Sequence, residues 1–291
     1  MKSGAAMQAI GLGFSYGDGP DILQGLDFHL PHGGFTAVLG ANGSGKTTLL
    51  KLLSGLVSPK SGEIMLRGQP MGSISHEKRY TSVGLVFQNP DDQLFALTVE
   101  EDVAFGPRNM GLDESMARKK TVEALCLVGA AHLADRPVYE LSFGQKKRVA
   151  IAGALAMGPS ILLLDEPTAG LDPAGELNLM RLLGELHRDR GVTIVMATHS
   201  VDLLPLFADR IMILEEGRLM KDAPIKNALA DGGLLEQAGL RLPYVTHLMR
   251  ELETKDGLEM GSLPLTVGEA RLRILDILAG NASSIKAVAD R

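Results

Sequence analysis

From residue 7 to residue 30, short apolar runs alternate with polar positions and with turn clusters such as Tyr16-Gly17-Asp18-Gly19-Pro20, a pattern that predicts antiparallel strands. Residues 62–67 read as a further strand. Four other segments, 35–39, 83–87, 161–164 and 192–197, are nearly uninterrupted apolar runs, as expected of strands buried on both faces. Helical patterns lie between them at 48–53 (ending near Gly55), 101–104, 116–128, 144–157 and 175–188. Strands alternating with helices predict an α/β fold on a mostly parallel sheet, with a small antiparallel β layer from the N-terminal strands. Residues 210–214 and 218–220, flanking Glu215-Glu216-Gly217, read as a hairpin that closes this unit near residue 220.

Past residue 221 the texture changes. Pro224 can start one short helix and Pro243 another, running through Leu252. Thr266 and Glu269 have capping-box spacing before Leu272, Ile274, Leu275 and Ile277, and a frayed tail is expected after Gly280. The expected division is a main domain over 1–220 and a small helical C-terminal extension over 221–291. No internal repeat stands out.

Composition narrows the class only a little. A chain of 291 residues with 45% hydrophobic and 22% charged content is ordinary for a globular protein. A net charge of −6 argues against a general nucleic-acid binder. The single cysteine, Cys126, excludes an intramolecular disulfide, and among apolar helix residues it reads as a buried, inert thiol. The first eight residues lack the apolar region of a signal peptide. No run of 18 apolar residues exists; the nearest approach, 149–164, is broken by Gly153, Gly158, Pro159 and Ser160. The expectation is a cytosolic chain able to dock on a membrane partner.

The chemistry begins at Gly40-Ala41-Asn42-Gly43-Ser44-Gly45-Lys46-Thr47, which fits G-x-x-x-x-G-K-[ST] between an expected strand and an expected helix opening at Thr48. Such a loop aims successive backbone N–H groups at an anion, with the helix N-terminus adding positive potential. Lys46 would reach the outer phosphates of a nucleotide and the Thr47 hydroxyl would ligate Mg²⁺. The run at 161–164 ends in Asp165 and Glu166, at the carboxyl edge of the sheet where ligands bind. There Asp165 can hold Mg²⁺ directly or through water, and Glu166 can orient or deprotonate an attacking water. An acidic turn closing a strand is the plainer reading; the phosphate loop upstream favours the functional one. Ser142 and Gln145 fit a capping box, and with Gly144 between them that helix N-terminus is also an anion site. Lys146, Lys147 and Arg148 alone would be a solvated helix face.

With these motifs in order, the chain resembles the ATP-binding-cassette ATPases. Leu141-Ser142-Phe143-Gly144-Gln145 looks like their signature motif, which serves the nucleotide held by the opposite subunit; Phe143 stands where the family has glycine. The resemblance implies further roles. Gln88 matches the glutamine that contacts Mg²⁺ and senses the transport partner, and Asp172 ends the Ala169-Gly170-Leu171-Asp172 D-loop. His199 matches the histidine that contacts the γ-phosphate, and Tyr16 the aromatic that stacks on adenine. A P-loop cassette with a helical signature subdomain is implied, with ATP and Mg²⁺ as cofactors. The stretches Gly84-Leu85-Val86-Phe87-Gln88-Asn89-Pro90-Asp91-Asp92-Gln93-Leu94-Phe95, Val103-Ala104-Phe105-Gly106-Pro107 and Gly239-Leu240-Arg241-Leu242-Pro243 are similar to the energy-coupling-factor branch, whose ATPases drive vitamin and transition-metal uptake. Within it, Asn89-Pro90-Asp91-Asp92 and Lys146-Lys147-Arg148 lean toward cobalt or nickel importers. Implied partners are a second cassette, as a homodimer, an integral membrane coupling subunit and a substrate-binding membrane subunit, at the cytoplasmic face of the membrane, with no nucleic acid. The alternatives are a vitamin importer of the same branch and a non-transport cassette ATPase. Members of that last class usually carry coiled-coil insertions or two cassettes per chain.

Overall fold

The computed structural model describes residues 4–229, 232–258 and 261–289, with side chains described as far as residue 279. The N-terminal alternation becomes β1 (Ala5–Phe14) and β2 (Leu23–Pro31), paired antiparallel with Met7 opposite Leu30. β3 (Phe35–Leu39) leads into α1 (Lys46–Ser54), which ends where Gly55 adopts φ 76° and donates its N–H back to Leu52 and Lys51 carbonyls. β4 (Ser61–Leu66) and the short β5 (Gln69–Pro70) complete an antiparallel layer in the order β2-β1-β4-β5. α2 (His76–Ser82) then precedes β6 (Val83–Val86).

Three helices form a subdomain: α3 (Val99–Asn109), α4 (Glu114–Leu127) and α5 (Phe143–Ala156). β7 (Ile161–Asp165), α6 (Pro173–Arg190), β8 (Thr193–Thr198), the single turn α7 (Leu204–Phe207) and the hairpin β9 (Arg210–Glu215) and β10 (Arg218–Pro224) follow. The second sheet runs β10-β9-β3-β8-β7-β6, parallel throughout except at the β10 edge.

The parallel strands are apolar on both faces because each face meets its own core. Leu162 and Leu164 of β7, with Ile194 and Met196 of β8, point into the cluster shared with α5 and α6. Ile161, Leu163, Val195 and Ala197 point into the cluster shared with α1 and the antiparallel layer. The period-two alternation of a strand therefore fills two cores from one apolar run. Both sets of loops that matter, after β3 and β6 and after β7 and β8, leave this sheet at its carboxyl edge.

α8 (Ile225–Leu229), α9 (Gly232–Gln237), α10 (Tyr244–Asp256) and α11 (Val267–Ala289) make up the C-terminal part. Its first half is not a separate body: Ile225, Leu235, Leu240 and Leu242 join the same cluster as Leu39 and Ile213. Met249 and Ala270 centre a small cluster between α10 and α11. Glu269 accepts from the backbone N–H of Leu265 at 2.8 Å, one residue before the expected Thr266, while its own N–H donates to the Thr266 hydroxyl at 3.2 Å. The tail expected to fray after Gly280 falls within α11 as far as Ala289, and its side chains lie outside the described residues.

Two expectations are corrected. Cys126 is exposed. The buried stripe of α4 is Ala117, Thr121, Ala124 and Leu125, and Cys126 sits next to that stripe in sequence but a further 100° round the helix, facing solvent. Residues 146–148 are not a solvated face either: Lys147 is 3% exposed, and Lys146 and Arg148 are half-buried.

Candidate functional site

The turn between β3 and α1 has little room for any side chain at two of its glycines. A Cβ on Gly40 would lie 2.4 Å from both the Leu214 carbonyl and the Ser44 hydroxyl; one on Gly45, at φ 102°, would lie 2.6 Å from Leu23. α1 opens with no side-chain cap and no acidic residue in its first turn, so no side chain of that turn competes with an anion for its first N–H groups and the positive end of its dipole. Lys46 is buried and donates to the Gly40 and Ala41 carbonyls at 2.8 and 3.0 Å, with its ammonium 4.0 Å from Glu166 Oε1. Burial lowers its pKa, opposed by Glu166 and Asp165. The Thr47 hydroxyl donates to Asp165 Oδ2 at 2.7 Å.

Asp165 ends β7, and burial raises its pKa against the Thr47 hydrogen bond, with the Glu166 charge adding to the rise. Its Oδ1 and the Ser44 hydroxyl are buried without a hydrogen-bond partner, two polar atoms ready for a ligand. Glu166 adopts φ 44°, a backbone region unfavourable for a residue with a side chain and often held at functional turns. Its N–H donates to the Ala197 carbonyl at 2.9 Å, which ties the turn to β8. Its Oε1 lies 2.9 Å from His199 Nδ1; the glutamate side chain is 7% exposed and the histidine 60%. A cleft of about 530 Å³ joins these groups, walled by Asn42, Gly43, Gly45, Lys46, Thr47, Thr48, Gln88, Asp165, Glu166 and His199. Ile22, which the sequence did not single out, lines it too, whereas Tyr16 does not: its half-exposed ring packs edge-on to Phe14 at 4.8 Å. Ala41 and Ser44 face a smaller hollow behind the loop, against Gly239.

The remaining candidates meet elsewhere. Ser142, Phe143, Gly144 and Gln145 line a hollow of about 420 Å³ with Gly170, Leu171 and Asp172, apart from the phosphate-loop cleft. Both halves of the capping box form: Gln145 N–H to the Ser142 hydroxyl at 3.4 Å, and Ser142 N–H to Gln145 Oε1 at 2.9 Å. Asp172 caps α6, accepting from Gly175 N–H at 2.7 Å. Phe143 lies against Gly170, where a Cβ would come within 2.8 Å of the ring. An aromatic in place of glycine is thus accommodated by a glycine across the hollow. One chain therefore presents a cleft suited to an anion and, separately, a second hollow at the N-terminus of α5.

Residues 23–169 match the ABC transporter family. The chain belongs to that family. The energy-coupling factor transporter ATP-binding protein EcfA of Methanocaldococcus jannaschii is 44% identical over 270 residues, 91% of this chain and 95% of that protein. The structure of cbiO1 from Clostridium perfringens, part of the ABC transporter complex cbiONQ, superposes with TM-score 0.72 at 43% identity, covering 84% of this chain and 99% of that one. A cassette solved as a dimer in a post-hydrolysis state with ADP and phosphate bound superposes with TM-score 0.69 at 27% identity, covering 75% of this chain and 98% of that one. The protein is an ATP-binding-cassette ATPase, the ATP-binding subunit of an energy-coupling-factor-type transporter.

Within this cassette, Lys147 makes a contact that sequence reasoning missed. Its ammonium donates to the Glu166 carbonyl at 2.7 Å and stands 5.3 Å from the Phe143 ring centroid. Burial lowers its pKa from 10.5 to about 8, against the attraction of Glu166 and Asp165. Nothing local signals this, because the partner carbonyl lies 19 residues away. Folded Lys147 releases its proton near 8 and the unfolded side chain near 10.5, so between those values the unfolded chain binds more protons and stability rises with pH. Lys147→Met removes that increment. Melting curves without nucleotide should show the unsubstituted cassette gaining on the variant from about pH 8 to about pH 10.5; parallel pH dependences would mean that Lys147 is not desolvated.

Proposed function

We propose that this cassette hydrolyses ATP to drive import of cobalt or nickel ions, working as a homodimer beneath an integral membrane coupling subunit and a substrate-binding membrane subunit. The observation that carries the chemistry is the single cleft in which Lys46, Thr47, Asp165, Glu166 and His199 converge. In this reading the N–H groups of the 40–47 loop and Lys46 hold the phosphates. Glu166 takes the proton of the attacking water as its oxygen bonds to the γ-phosphorus and the bond to ADP breaks. His199, already on the Glu166 carboxylate, would steady it and reach the γ-phosphate, and Tyr16, whose half-exposed ring stands outside the cleft wall, would stack on an adenine that extends beyond it.

Mg²⁺ fits the residues present. Among the described residues no cluster of three or more His, Cys, Asp or Glu forms a protein-only metal cage. The orphaned Asp165 Oδ1 and the adjacent Thr47 hydroxyl instead suit an ion held by one or two protein groups and the phosphates. Thr47 and Asp165 would hold it, with Gln88 across the cleft; when bound it neutralises charge on the phosphate oxygens.

Ser142, Phe143, Gly144 and Gln145, with the Asp172 turn, would face the nucleotide of the second cassette, which accounts for their distance from this chain's own cleft. The same reading puts the cassette at the cytoplasmic face of the membrane, and no helix among the described residues is long and apolar enough to cross one. It also treats 1–220 as the nucleotide-binding domain and 221–291 as an extension. The metal assignment draws on two segments that the fold brings together: Lys146 pairs with Asp91 at 2.6 Å. Membrane vesicles carrying the cassette with the membrane subunits it co-purifies with should take up radiolabelled cobalt or nickel in an ATP-dependent manner. Uptake of a vitamin in place of metal would move the assignment to the vitamin importers, and co-purification with ribosomes or DNA would remove it from transport.

A further inference from the structure

The segment Gly239-Leu240-Arg241-Leu242-Pro243 has no part in the cleft, yet it touches both loops that build it. Leu240 and Leu242 are buried in the main core and anchor the segment. Gly239, at φ 68°, brings its backbone against the phosphate loop, where a Cβ would lie 3.3 Å from Ala41. Between the two leucines, Arg241 points outward and grips Asp202 with both terminal nitrogens, one of them at 3.2 Å from Oδ1. The same guanidinium lies 3.7 Å from the Tyr244 ring centroid and donates to the Leu242 carbonyl at 3.1 Å. Tyr244 N–H adds a 2.9 Å hydrogen bond to Asp202 Oδ1.

Asp202 is the far end of the turn that carries His199. Ser200 N–H bonds back to the Thr198 hydroxyl at 3.0 Å, and Val201 is fully buried, so little slack separates Asp202 from the histidine. His199 itself is mostly exposed, and its one hydrogen bond described within the cassette is that to Glu166. What fixes this turn therefore fixes where the imidazole stands. A fork-shaped, two-point grip stacked on an aromatic ring suits that task, because a guanidinium holds a carboxylate in one orientation where an ammonium does not.

We infer that Arg241 is a positioning residue of the ATPase: through Asp202 it holds the 199–202 turn so that His199 stays on Glu166, and it thereby makes the C-terminal extension a control element of turnover. The inference rests on the proposed roles of Glu166 and His199. The Arg241 and Asp202 side chains are 45% and 34% exposed, so breaking the pair should cost the fold little. Its cost should appear in catalysis, where a small misplacement of a catalytic group lowers kcat by about 10-fold or more.

The full chain would be assayed as Arg241→Gln, Asp202→Asn, the double variant and Arg241→Lys, with Lys46→Ala as the reference for the cleft. The expected result is a fall in kcat of roughly 10-fold for each single variant with KM for ATP nearly unchanged, no further fall in the double variant, and a partial return with lysine. Melting temperatures should stay level, and the His199 ring resonances should shift in nucleotide-free protein. Unchanged kcat and unchanged His199 resonances in both single variants would overturn the inference and leave the ATPase reading standing. Additive losses in the double variant would also overturn it, by showing two independent effects. Undiminished hydrolysis by Lys46→Ala would sink the assignment of the cleft, and the inference with it.

Discussion

Glu166→Gln should leave ATP binding intact and slow hydrolysis by about 10²-fold or more, the loss expected when a general base is removed. The fold should barely notice. Glutamine has the same shape, tolerates φ 44° as well as glutamate does, and keeps an oxygen or nitrogen within reach of His199 Nδ1 at 2.9 Å. Binding should not weaken, because the substitution removes a negative charge from beside the site of an anion, while the α1 N-terminus and the Lys46 hydrogen bonds to the Gly40 and Ala41 carbonyls stay in place. A 10²-fold effect corresponds to about 2.7 kcal/mol of barrier, more than the roughly 1 kcal/mol that a typical hydrogen bond contributes net. Titration with a fluorescent ATP analogue gives the affinity, and single-turnover phosphate release gives the rate. Near-normal turnover with normal binding would mean that another group activates the water, and Asp165 would be the next candidate.

What the chain announces and what it conceals divide along sequence distance. β3, β7 and β8 are legible because burial on both faces writes a solid apolar run, and their ends deliver the phosphate loop, Asp165 and His199 to one edge of the sheet. The 142–145 box is legible because both of its hydrogen bonds span three residues. α2 left no trace, since none of its residues is buried and no apolar stripe can form. α3 begins earlier and runs longer than its apolar pattern suggests, because a Thr98–Glu101 capping box starts it, a local signal that a search for apolar periodicity passes over. The contacts made at long range could not be read at all. Lys147 looks like one of three surface cations until the Glu166 carbonyl is placed above it, and Arg241 finds Asp202 only after 39 residues of chain have folded back. Chemistry was written locally here, while the groups that hold it in position were not.

Gly144→Asp should abolish ATP-induced dimerisation while leaving each chain folded and able to bind ATP in its own cleft. The backbone allows a side chain: Gly144 does not need a positive φ, and a Cβ there meets only the Leu171 side-chain end, at 3.3 Å. The new carboxylate would sit in the first turn of α5, where the helix dipole favours a negative charge, so the isolated chain should lose no stability. What changes is the sign of the surface offered to a partner. On the proposed reading, a helix N-terminus that would attract the γ-phosphate of a second cassette's nucleotide becomes one that would repel it, and desolvation at that contact would make the repulsion strong. Gly144→Ala separates charge from bulk and should still dimerise, with a shift of a few tenths of an ångström at Leu171. Static light scattering with and without ATP, on a hydrolysis-slowed Glu166→Gln background, reads the outcome directly. If the aspartate variant still assembles with the ATP dependence of its parent, the 142–145 turn does not face the partner's nucleotide, and the second half of the composite site must be sought on another surface of the cassette.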